Sequence, residues 1–71
     1  MRYTEIGTIE DKDGNEAPVR WDSETDVVQV RVYRFPSDKL PYWDWVTVGI
    51  ARAKGTAVMT AMNWVKGVEE L

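Results

Sequence analysis

Val27-Val28-Gln29-Val30-Arg31-Val32-Tyr33-Arg34-Phe35 is the stretch that decides the fold. Read at period two, Val28, Val30 and Val32 share one face, and Val27, Gln29, Arg31, Tyr33 and Phe35 share the other. The first face is wholly aliphatic and β-branched, which suits a pleated surface against a core. The second mixes arginine with aromatic rings.

Working outward toward the C-terminus, residues 36–41 begin and end in proline and read as a loop. Trp43 to Ala51 is expected as a further strand. Val46, Val48 and Ile50 fall on one face, and Trp43, Trp45, Thr47, Gly49 and Ala51 on the other. A helix from Pro41 to Gly55 is the rival reading, since proline suits a first helical turn and glycine a stop. The run Val46-Thr47-Val48-Gly49-Ile50 argues against it, because β-branched residues and glycine are poor helix formers. Thr56 is a fair N-cap for a last element over 57–70. In it Ala57, Val58, Ala61, Met62, Val65 and Val68 recur at helical spacing as one apolar stripe. Trp64 lies near that stripe and is expected to pack. Glu69 and Glu70 sit at the unfavourable end of the helix dipole, so the last turn is expected to fray.

Toward the N-terminus, Asp22 to Asp26 is a polar turn and Pro18-Val19-Arg20-Trp21 a short strand. Asp11-Lys12-Asp13-Gly14-Asn15-Glu16 carries an Asp-Gly hairpin signal, and Tyr3 to Glu10 is the strand before it. Asp11, Asp13 and Asn15 also match the opening positions of an EF-hand loop. Glu16 then stands where that loop needs glycine, and Asp22 where it needs a bidentate glutamate. The hairpin reading is preferred. The sum is a single α+β domain over residues 1–71. An antiparallel meander of three to four strands has hairpins over 1–35 and a fourth strand over 43–51. One C-terminal helix packs on one face.

The 71 residues include no cysteine and no histidine. That excludes thiol nucleophiles, disulfides, Cys/His zinc sites and imidazole-based triads. The five glycines are scattered, so no phosphate-cradling loop forms. Ser23 and Ser37 lack a base. No catalytic residue, metal ligand or cofactor is expected, and the reading is non-enzymatic. No secretory signal opens the chain. Arg52 and Lys54 interrupt the longest apolar stretch. The expectation is a cytoplasmic protein with no membrane association.

Charge is uneven. Residues 1–26 carry three basic and eight acidic side chains, net −5, and residues 27–54 carry five basic and two acidic, net +3. Nucleic acid is possible but disfavoured as a ligand, because phosphate binding is dominated by positive charge. Glu10, Asp11, Asp13, Glu16, Asp22, Glu24 and Asp26 are expected as an acidic surface, solvated or able to mimic phosphates.

One helix covers one face of a sheet, which leaves the other to Arg31, Tyr33, Phe35, Trp43 and Trp45. Aromatic residues and arginine dominate binding hot spots, so these five are the candidate partner-binding residues. The bland alternative is a second small core under the 36–42 loop. The general profile is that of small accessory proteins of phages and mobile elements, anti-CRISPR inhibitors among them. The expected function is thus a protein-binding module that blocks a host factor. A nucleic-acid binder, or a homodimer or larger virion-type assembly, would use the same face.

Overall fold

The computed structural model describes residues 3–11 and 14–69. Four strands come first and one helix last: β1 (Tyr3–Glu10), β2 (Glu16–Asp22), β3 (Val27–Arg34), β4 (Tyr42–Ile50) and α1 (Lys54–Glu69). The strands form one antiparallel sheet in chain order, so each neighbour in sequence is a neighbour in space. Residues 42–50 are a strand, and the rival helix is excluded.

The helix covers the face that carries Val28 and Val30. Both are fully or almost fully buried, together with Val19, Ile9 and Ala17 from the sheet and Ala57 and Ala61 from α1. Two alanines on the facing stripe let the helix backbone come close to the sheet. Val58, Trp64 and Val65 pack at the margin of this core, whereas Met62 is exposed. The side chain of Val68, expected on the same stripe, lies outside the described residues, as do Glu70 and Leu71. Among the described residues no helix is long and apolar enough to cross a membrane.

Two β-bulges shift the alternation read from the sequence. In β4, Val28 pairs with Gly49 and Gln29 with Thr47, so Val48 is an extra residue. Val48 and Gly49 therefore both turn to the helix side, and Ile50 passes to the other face, where it is 71% exposed. The expected placement of Ile50 with Val46 and Val48, and of Gly49 with Trp45, is corrected by that single insertion. In β1 the shift falls between Glu5 and Gly7. Ile6 becomes the extra residue and packs against the core. Gly7 has φ +150°, a value that side chains disfavour.

The helix starts earlier than expected, at Lys54, with the Ala57 amide donating to the Ala53 carbonyl. Thr56 is inside the first turn and is not the cap. Its carbonyl accepts from the Thr60 hydroxyl at 2.8 Å. Trp21 fixes the strand-to-helix junction, its indole N–H donating to the Ala51 carbonyl at 2.7 Å.

Asp22 is a second correction. It was expected on the acidic surface but is 0% exposed. Its Oδ1 accepts from the Glu24 amide at 2.8 Å, and its carbonyl accepts from the Asp26 amide. Asp26, at φ +64°, completes this turn and accepts from the Ala51 amide. The Glu24 amide, opposed by burial, holds the Asp22 carboxyl below its ordinary value of 3.8. A lowered folded-state pKa stabilises the fold above the unfolded pKa, and that contribution disappears as pH falls through the folded value. Asp22→Asn, which keeps the acceptor oxygen, is therefore expected to be less stable than wild type at pH 7. The gap should close in urea titrations repeated down to about pH 2. A gap independent of pH would contradict this role.

Candidate partner-binding face

The sheet surface away from α1 takes its side chains from the alternate positions of the same strands. Arg31 pairs with Trp45 and Tyr33 with Trp43 across β3 and β4, which puts all four on this face. The Tyr33 ring lies 4.6 Å from that of Trp43 and meets Phe35 edge-on at 4.7 Å. The structure thus brings the five expected residues into one continuous band. Phe35 is 75% exposed and Trp43 57%, with Tyr33 also exposed. The 36–42 loop does not bury them, and Leu40 within it is itself exposed.

Two guanidinium groups organise the band. Arg31 stacks over Trp43 at 4.5 Å. Arg20 lies between the rings of Tyr3 and Trp45, at 4.2 and 4.0 Å. Each stack of this kind contributes about 0.5–2 kcal/mol, more as water is excluded. Arg20 also donates from Nε to Gln29 at 2.8 Å, and Gln29 donates on to the Thr47 hydroxyl at 3.1 Å. This chain of polar contacts crosses three strands and holds the half-buried Trp45 in place. Arg20 and Tyr3 were missing from the expected set. The signal was present in the register, because Arg20 alternates with Val19 and Trp21 and so must share a face with Gln29 and Arg31.

Among the described residues the expected acidic side chains form no single surface. Glu10, Asp11 and Glu16 lie at the β1–β2 turn, with Glu10 paired opposite Glu16. Asp22, Glu24 and Asp26 lie at the other end of β2, about 20 Å away at roughly 3.3 Å per residue. Asp11 closes its turn by accepting the Asn15 amide on Oδ1 and the Gly14 amide on its carbonyl. These bonds close the hairpin turn between β1 and β2. Asp13 lies outside the described residues. Arg34, at the rim of the helix-covered face, pairs with Asp44 at 3.5 Å.

The sheet also opens between its middle strands. The β2–β3 ladder has three pairs and stops at Val19 and Val30. The outer ladders run on, to Glu10–Glu16 and to Arg34–Tyr42. One step further the register would place Pro18 opposite Arg31, and proline has no N–H to give a ladder. The two hairpins separate from there and leave a cleft of about 600 Å³. Glu16 and Ala17 line one wall, Arg31, Tyr33 and Phe35 the other, and Trp64 of α1 contributes as well. The Arg31 Nε is buried and makes no hydrogen bond among the described residues.

No protein-family model, curated protein or solved structure matches this chain.

Proposed function

We propose that this protein is a non-enzymatic binding module that presents the Arg31–Tyr33–Phe35–Trp43 end of its sheet to a partner protein. The observation that carries this reading is the exposure of Phe35 and Trp43 in a contiguous band that already contains ordered arginine stacks. Rings held by one another and by guanidinium groups lose little freedom when a partner covers them. A large exposed apolar band on a small protein is a liability unless it is an interface. Trp45, braced by Arg20, supports the band from beneath rather than offering itself to the partner. The mode of action is steric: by covering a partner's surface the module excludes that partner's other ligands, as expected of a small cytoplasmic inhibitor.

A second reading, single-stranded nucleic acid on the same face, is favoured by the pairing of exposed rings with Arg31. Tryptophan fluorescence titrated with single- and double-stranded oligonucleotides separates the two. The protein-binding reading expects no quenching at low salt. Quenching that weakens steeply as salt rises would transfer the face to nucleic acid and defeat the first reading. Light scattering across a concentration series tests the remaining use of the face, with a constant monomer mass expected. A mass that doubles or grows with concentration would assign the face to self-association.

A further inference from the structure

We propose that the cleft between the two hairpins is a slot for the C-terminal tail of a partner protein, added as an extended strand along β3 with its terminal carboxylate on Arg31. This deepens the protein-binding reading above and rests on it. Three observations meet at the slot. First, among the described residues β3 beyond Val30 has β4 on one side and no strand on the other, so its backbone edge over residues 31–34 is available for strand addition. Second, the slot is closed at one end, where Val19 pairs with Val30. A strand entering from the mouth near Phe35 and Glu16 must end there, which favours a chain terminus over an internal segment. It would run antiparallel to β3 and parallel to β2. Third, the closed end holds Arg31, the one cation among the described residues that line the cleft. A terminal carboxylate pairs with its guanidinium by a charge-assisted hydrogen bond.

The side chains of the tail follow from the walls. Those pointing to the helix side meet Ala17, Val32 and Trp64 and must be small and apolar. Those pointing to the open face run past Tyr33 toward Glu16, where a basic or aromatic residue is accommodated near the mouth.

The test uses two pools of randomised N-acetylated hexapeptides, one with free C-termini and one with C-terminal amides, added to the ¹⁵N,¹³C-labelled protein. The free-acid pool is expected to shift the Arg31 Nε–Hε resonance and to slow amide exchange across residues 31–34. The amide pool should need about tenfold or more higher concentration for the same shift, since it lacks the ion that pairs with Arg31. Arg31→Gln should weaken the acid pool by a similar factor while its amide spectrum stays dispersed. Equal shifts from both pools would overturn the terminal-carboxylate assignment, and no shift from either would overturn the slot. Neither outcome touches the face itself, which fails separately if oligonucleotides quench its tryptophans in a salt-sensitive way.

Discussion

Trp21→Ala is expected to leave the chain largely unfolded at 25 °C. The Trp21 ring packs against the core, and its indole N–H supplies the hydrogen bond to the Ala51 carbonyl that joins sheet to helix. Removing a packed aromatic ring costs about 3–5 kcal/mol, and a buried carbonyl left without its donor adds about 1–3 kcal/mol. A domain of this size holds roughly 4–10 kcal/mol in total, so this one change consumes most of it. Circular dichroism with a denaturant titration checks this. Trp21→Phe isolates the hydrogen bond, with an expected loss of about 1–3 kcal/mol and the fold retained. A cooperative Trp21→Ala transition close to that of wild type would show that the junction does not depend on this ring.

Gly49→Ala is expected to have the second largest effect. A Cβ built on Gly49 would lie 2.7 Å from Cγ2 of Thr60 on the facing turn of α1. That methyl cannot simply rotate away, because the Thr60 hydroxyl is bonded to the Thr56 carbonyl. The helix must lift or Thr60 must leave its rotamer, at about 1–3 kcal/mol for overpacking of this kind. The contact also provides its own control. Thr60→Ser removes the clashing methyl and keeps the hydroxyl, so the double variant should recover most of the stability lost by Gly49→Ala alone. Thermal melts of the four proteins give the coupling. Additive losses would mean that the strain lies elsewhere than in this contact.

Legibility varied with how locally each feature is encoded. The run from Val27 to Phe35 alternates without interruption, so both its faces were readable from period two alone. In β4 the same rule worked as far as Val48 and failed from Gly49, because a bulge inserts one residue with no strong local signal. Gly49 was the available hint, since glycine within a strand marks a bulge or a close backbone approach, and here it marks both. The helix start was misplaced because Thr56 offers a cap by residue type, while the true start follows from where Trp21 pins Ala51. Asp22 looked like surface because aspartate usually is. Its burial comes from a turn whose amides replace water, a pattern that depends on the backbone of residues 22–26. The candidate face was legible as a set of residues but not as an assembly. Arg20 and Tyr3 join it only through the pairing of β1 and β2 with the rest of the sheet, and the split at Pro18 depends on two hairpins diverging. Proline's missing N–H hinted at a ladder end, but not at the cleft that the end creates.

The central claim is that the exposed aromatic end of the sheet serves an interface and is not part of the core. The thermal midpoint of the double variant Phe35→Ala/Trp43→Ala tests it most directly. The rings are 75% and 57% exposed, so their loss should cost about 1–1.5 kcal/mol together. That corresponds to a fall of roughly 4–12 °C, with a transition that remains cooperative. A double variant as unfolded as Trp21→Ala is expected to be would place both rings in the core and remove the basis for a binding face.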